Sequence, residues 1–451
     1  MYDAIIIGGG ASGLAAACAL AGWKIALLEK QPRVGRKLLS TGNGRCNLTN
    51  LNASPERYHG ARGAAARALE LCPPGEVLRF FELLGLPAVA DDEGRVYPMS
   101  NQAASVLDAL RLYAAEHGCE ILTECAAESI VRRTSPACFR VRTADGRGLD
   151  ARRVLVCTGG LAAPKLGACG DGYRLLEAMG HTSTAKMPAI APLRTPPEIV
   201  RGLKGQRADC AVTLWVNGRP ARSERGEILF SETGVSGIAA MQLARSCSEA
   251  ARKGARCELK VNFLAEGRRL DLHVGVKLRE AANGIHGVDA PGNDSCLNPD
   301  SRESVERWLM ERARRLPDRA MEDFLNGVVS RRLGQALAKS AGIEPLSRRA
   351  DSLPASEIRA LAAILTQWTI PVTGVQGFDQ AQVTAGGVAL DDFDWDTMQS
   401  RRAPGLYAAG EVLDVDGDCG GYNLQWAWAS ALIAARSMRR AMDQERGGKR
   451  G

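Results

Sequence analysis

Gly8, Gly10 and Gly13 stand at G-x-G-x-x-G spacing between a short apolar run, Ala4 to Ile7, and an Ala- and Leu-rich stretch from Leu14 to Ala21. That spacing suits a pyrophosphate. Gly8 permits a tight turn, Gly10 lets phosphate oxygens approach the backbone, and Gly13 lets the next helix lie close to the strand. Ala11 and Ser12 open that helix, whose first N–H groups are unpaired and carry partial positive charge. Glu29 closes a second apolar run, Lys24 to Leu28, where a carboxylate accepts hydrogen bonds from ribose hydroxyls; Lys30 follows it. Lone glycines at this spacing are weak. Strand, helix, second strand and acidic end together make a β-α-β dinucleotide unit, against the plainer reading of a glycine turn with no ligand.

Three further segments address the rest of such a cofactor. The stretch 33–50, RVGRKLLSTGNGRCNLTN, is a predicted loop and carries Arg36, Lys37, Gly42, Asn43, Gly44, Arg45 and Cys46. Val154 to Cys157 is apolar and ends in Thr158-Gly159-Gly160. Near the C-terminus, a strand ending in Gly410-Glu411 is followed by Asp414 and then by Gly420-Gly421-Tyr422-Asn423-Leu424, the start of an apolar helix. Glu29 suits NAD or FAD. The loop and the C-terminal block favour FAD: a strand ending in Gly-Glu contacts its ribityl chain and pyrophosphate, and a helix N-terminus stabilises negative charge on a reduced flavin.

The elements that must position these residues read as an α/β fold. Helices are predicted near 62–71, 76–84, 102–117 and 424–438, and strands near 119–123, 128–133, 138–143 and 153–157. Pro188, Pro192, Pro196 and Pro197 mark a change of character. Beyond them lie strand-like pieces (211–216, 227–230, 257–261), a polar stretch over 267–300, and Arg-rich helices over 302–345. The expectation is a Rossmann-type FAD-binding domain formed by both termini, residues 1–189 and 371–451, with an inserted β-rich plus helical domain over 190–370 as the substrate side. The terminal run 447–451 is expected to be disordered.

Bulk properties narrow the class. The net charge is +7 over 451 residues, which permits an anionic ligand or an RNA surface without requiring one. Thirteen scattered cysteines without a C-x-x-C pair, and five dispersed histidines, predict neither a zinc site nor a disulfide framework. The dispersed histidines predict no metal; nothing resembles a signal peptide or a run of about 18 apolar residues, so no membrane contact and a cytoplasmic location are expected.

Gly35 to Asn47, Gly170-Asp171-Gly172-Tyr173, Gly226 to Gly237, Val383 to Val388 and Gly410 to Leu424 resemble the matching blocks of the BaiN-like, or YhiN-like, family of bacterial FAD-dependent oxidoreductases. They run from end to end of the chain. The G-x-G-R-C-N and A-G-E-V-L-D-x-D-G blocks are far more specific than the N-terminal glycines. The stretch 268–300 departs from a compact insert. A more distant likeness is to fumarate-reductase and ketosteroid-dehydrogenase flavoproteins. The resemblance implies FAD as cofactor, NADH or NADPH as transient reductant, and reduction of a carbonyl-conjugated C=C bond. The substrate is a small molecule such as a steroid or bile-acid enone; the alternative is uridine in ribosomal RNA. An amine oxidase and a non-catalytic flavin-binding protein are further readings. Substrate, pyridine nucleotide and oligomeric state stay open.

For such a reduction the flavin gives hydride to the β carbon, an acid protonates the α carbon, and donors hold the carbonyl oxygen. Arg45, with Arg36 and Lys37, is a candidate to hold an anion or a flavin carbonyl, or else serves phosphate positioning or loop ion pairs. Cys46 is a candidate proton donor, since a thiol in an Arg-rich glycine loop can have a lowered pKa, or else a packing residue. Tyr422 is the second candidate donor, beside Asn423 at the flavin ring. For RNA, Arg331-Arg332, Arg348-Arg349 and Arg401-Arg402 are candidates for a basic stripe, or else a solvated face.

Overall fold

A computed structural model describes residues 1–135, 137–264 and 301–447. The polar stretch 268–300, with His273 and His286, lies outside the described residues. So does the terminal run, except for Gly447, which ends the last helix.

The chain divides into two compact units, residues 1–191 with 376–451, and residues 192–375. In the first unit, β1 (Tyr2–Ile7) is central to a nine-stranded sheet. Ile5 lies between Val154 of the parallel strand Gly148–Val156 and Ala26 of β2 (Ile25–Leu28). Leu406–Ala408 extends the parallel core on one side and Cys119–Leu122 on the other. Ala4 to Ile7 are buried on both faces, which is why β1 reads as a continuous apolar run and not as an alternation. An antiparallel pair, Ala127–Thr134 with Ala137–Thr143, joins through Gly148–Val156.

α1 (Ala11–Ala19) has no polar face: Ser12 to Cys18 are all buried. Its small side chains let it pack between the sheet and the C-terminal helix Tyr422–Gly447. That helix brings Trp426, Trp428, Leu432, Ile433 and Met438 into the same core, each fully buried large side chain contributing about 1.5–3 kcal/mol. The expected loop 33–50 is partly ordered by short turns over Leu38–Gly44 and by a strand, Thr49–Asn50.

The second unit holds a seven-stranded sheet in which Arg207–Val216 pairs with Arg219–Phe230 and with Cys257–Asn262. Alternation along Arg207–Val216 buries Cys210, Val212 and Leu214. Trp368–Val372 and Gly374–Val375 belong to this sheet. The unit therefore closes at Val375, beyond the expected limit at 370. Its helices include Arg302–Arg315, Arg331–Ser340 and Ala355–Gln367.

Candidate functional site

The N-terminal glycines do three different things. Gly8 has φ +108°, and a side chain there would meet the Cys157 carbonyl oxygen at 2.4 Å. A Cβ on Gly13 would lie 1.9 Å from the Gly8 oxygen, so helix and strand touch through this residue. Gly10 faces open space, with nothing within 4 Å of a Cβ, at the N-cap of α1. Ala11 and Ser12 follow it in the first turn, Ser12 buried against Gly410. Glu29 accepts the Gly9 N–H at 2.9 Å and the Gln31 N–H at 2.8 Å, which fixes its carboxylate at the end of β2. Lys30 pairs with Asp171 at 2.7 Å and also contacts Cys169.

Glu411 is the meeting point of four distant segments. Its Oε2 takes Lys37 Nζ at 2.7 Å, and its Oε1 accepts the Thr384 N–H at 2.9 Å. Thr384 Oγ1 in turn accepts the N–H groups of Leu161 and Ala162, just after Thr158-Gly159-Gly160. A Cβ on Gly160 would collide with Thr384 Oγ1 at 2.5 Å, while Gly159 and Gly44 face open space. Thr158 Oγ1 packs against Gly172. Arg36 binds Gln31 and, at 3.1 Å, the Lys165 carbonyl.

The C-terminal helix holds Gly410 by both backbone groups. Gly410 N–H donates to Ser430 Oγ at 2.9 Å, and Trp426 Nε1 donates to its carbonyl at 3.1 Å. At the helix start, Asn423 exchanges hydrogen bonds with Gly417 in both directions at 2.8 Å. Gly420 and Gly421 have φ +127° and +100°, and a Cβ on Gly421 would lie 2.7 Å from Asn47 Oδ1. That oxygen is buried and has no protein partner. Gly42 and Asn43, both at positive φ, turn the loop toward Cys46 and Asn47. Asp414 sits where its carbonyl accepts the Ala61 N–H, and Leu424 packs against the core.

Arg45 is exposed. Its guanidinium lies 4.4 Å from the Tyr97 ring centre and its Nε donates to the Gly42 carbonyl at 3.2 Å. Tyr422 is 6% exposed and stands edge-on to Tyr58 at 6.2 Å. Burial raises its phenol pKa, so the group holds its proton more tightly than an exposed tyrosine. The expected acidity of Cys46 is corrected. Its thiol is sealed in the core, and burial pushes its pKa up to about 12. No cation of the loop figures among the causes of that shift; burial outweighs the opposing hydrogen bond with the Thr41 side chain.

Several contributors were not singled out in the sequence. Gln425 and Ser430 are fully buried polar residues inside an apolar helix, and that misfit was their only signal. Gln425 links Thr49 Oγ1 at 2.6 Å to the Cys72 carbonyl at 2.9 Å. Thr384 and Asn47 gave no signal beyond their place in glycine-rich blocks.

These features fit an FAD. The open Gly10 at a helix N-terminus suits a pyrophosphate, Glu29 suits a ribose, and the orphaned Asn47 Oδ1 beside the second helix N-terminus suits a donor on a flavin edge.

The fold is that of a Rossmann-type FAD-binding oxidoreductase. More narrowly, the chain belongs to the family described as "HI0933-like protein Rossmann domain", whose profile matches residues 2–437. The likeness to BaiN-like and YhiN-like proteins thus holds over nearly the whole chain. The chain is 35% identical over 442 residues to the 3-dehydro-bile acid delta(4,6)-reductase of Clostridium scindens, covering 96% of this chain and 98% of that one. It is 28% identical over 460 residues to the ribosomal RNA dihydrouridine synthase of Escherichia coli, covering 97% and 99%. It is 25% identical over 448 residues to the protein of that name from Haemophilus influenzae, covering 97% and 98%. Among the described residues no helix is long and apolar enough to cross a membrane.

Proposed function

We propose that this flavoprotein reduces a carbonyl-conjugated C=C bond of a small molecule, of the steroid or bile-acid enone type, using NADH or NADPH in the cytoplasm. Bound FAD supplies hydride transfer. Gly8, Gly10, Ala11, Ser12 and Gly13 would hold its pyrophosphate, Glu29 its adenosine ribose, and Gly420 to Asn423 with Asn47 its flavin end. Tyr422 is the proton donor we assign to the α carbon; Arg45, exposed beside the Tyr97 ring, is assigned to the substrate's carbonyl or acidic group. The inserted unit is left with substrate selection.

The observation that carries the choice of a small molecule over RNA is charge pairing. Five of the six arginines that would form a basic stripe face carboxylates. Arg331 pairs with Asp323 at 2.7 Å, Arg348 with Glu357 at 3.0 Å, Arg349 with Asp351 at 2.7 Å, Arg402 with Asp392 at 2.6 Å, and Arg401 with Asp394 at 3.8 Å. Neutralised guanidiniums release few counterions from a phosphate backbone. The relative named for bile-acid reduction supports the same reading.

The test is spectroscopic. The bound flavin is reduced without oxygen, a conjugated steroid enone is added, and the oxidised band near ~450 nm is followed. Its rapid return with formation of the saturated product is expected. No return with the enone, but return with a uridine-containing ribosomal transcript, would assign the protein to RNA.

A further inference from the structure

Residues 57–59 grip the turn that opens the C-terminal helix, and Asp418 is where they close on it. Asp418 is 6% exposed. Its Oδ1 lies 2.9 Å from His59 Nε2 and its Oδ2 lies 3.7 Å from Arg57 Nη1. Its backbone N–H donates to the Arg57 carbonyl at 2.9 Å, and its carbonyl accepts Asn423 Nδ2 at 3.2 Å. The strand pair behind it sets Tyr58 opposite Gly417 and His59 opposite Asp416. Tyr58 Oη donates to the Tyr422 carbonyl at 3.0 Å, and the Arg57 guanidinium stands 5.9 Å from the Tyr422 ring centre.

The proton on His59 follows from its neighbours. Arg62 Nη2 lies 3.4 Å from His59 Nδ1, and a guanidinium only donates. In the tautomer these two contacts suit, Nδ1 faces the guanidinium and Nε2–H donates to Asp418. A buried carboxylate is costly without partners, and the His59 ring nitrogen and the Arg57 guanidinium both reach this one from the chain segment that also carries Tyr58. Asp418 lies within the Gly410 to Leu424 block, but His59 stands at no glycine motif, and nothing in the linear sequence ties the two together.

We propose that His59 and Asp418 are a positioning pair, in which His59 acts as an N–H donor that locks the Asp418 carboxylate and thereby the orientation of Gly420, Gly421, Tyr422 and Asn423 toward the flavin. The inference rests on reading that helix start as the flavin end of the site. In this role His59 works through its Nε2–H donor. Glutamine, whose side-chain amide also donates, is therefore a functional replacement and alanine is not.

The experiment compares purified FAD-loaded wild type, His59→Ala, His59→Gln and Asp418→Asn. Visible absorption and fluorescence of the bound flavin are recorded first, then kcat and KM with NAD(P)H and an enone, then the unfolding midpoint. His59→Ala and Asp418→Asn are expected to shift the flavin band and to lower kcat about tenfold, the worth of one hydrogen bond to a charged group. KM should stay within about twofold, because the effect falls on the reacting geometry and not on uniform binding. His59→Gln should restore both band and kcat. Flavin spectra unchanged in His59→Ala and Asp418→Asn would overturn the proposal, and so would a His59→Gln as impaired as His59→Ala. A wild type inert toward enones would remove the substrate reading alone, because the spectral comparison needs no substrate.

Discussion

Lys37 and Glu411, 374 residues apart in the chain, meet at 2.7 Å in the first unit. Glu411 also receives the Thr384 N–H, so the pair ties the loop after β2 to the strand end at Gly410 and to the segment beyond Gly160. The two side chains are 29% and 21% exposed. Lys37→Ala should therefore cost under about 1 kcal/mol in the loaded protein. Glu411→Ala leaves both a buried N–H and an ammonium unpaired and should cost about 2 kcal/mol. Thermal unfolding with FAD bound measures both, and equal losses would show that the Thr384 contact carries nothing.

Gly10 and Gly13 separate ligand from fold. Gly10→Ala adds a methyl into open space. The protein without FAD should unfold within about 0.5 kcal/mol of wild type, while FAD per chain falls. Gly13→Ala drives a methyl onto the Gly8 carbonyl and should destabilise the protein itself by about 1–3 kcal/mol. A Gly10→Ala that retains full FAD content removes the pyrophosphate assignment.

The cysteines offer a labelling order. Cys169 is exposed, Cys419 is partly covered and Cys46 is buried with its pKa raised to about 12. Among the described cysteines, alkylation of the native protein should reach Cys169 first and leave Cys46 intact until unfolding. Cys46→Ala should keep kcat within about twofold and lose about 1 kcal/mol of stability. A large fall in kcat at unchanged FAD content would return Cys46 to the chemistry.

His181 predicts an acid sensitivity. Ser400 Oγ accepts the N–H groups of Arg402 and Ala403, so its proton goes to His181 Nε2 at 3.0 Å. The ring stacks on Phe393 at 4.5 Å, and burial holds its pKa below the ordinary histidine value of 6.5. As pH falls below that value the unfolded chain takes up a proton that the folded chain refuses. Stability is then lost down to the folded pKa, by at most about 1.4 kcal/mol per pH unit. Chemical denaturation of wild type and His181→Gln between pH 7 and 5 should show the steeper loss in wild type.

What was legible in the sequence was whatever repeats locally. The G-x-G-x-x-G turn, both apolar runs around it, Glu29, the Thr158-Gly159-Gly160 strand end and the Gly420-Gly421 helix start depend on backbone conformation and hydrophobic period, which neighbouring residues set. Both-terminus assembly of the FAD unit was readable because the same kind of glycine-bearing strand end recurs near Gly410.

Tertiary structure alone decided which of those residues serve each other. Lys37 and Lys30 spend their charge on Glu411 and Asp171. Cys46 faces the core because the chain turns at Gly42 and Asn43, both at positive φ, and that turn reverses the thiol's expected acidity. His59 and Asp418 meet through a two-stranded pairing across some 360 positions. Hydrophobic pattern specifies elements, whereas a side chain's partner and its pKa depend on packing between segments that no local spacing encodes.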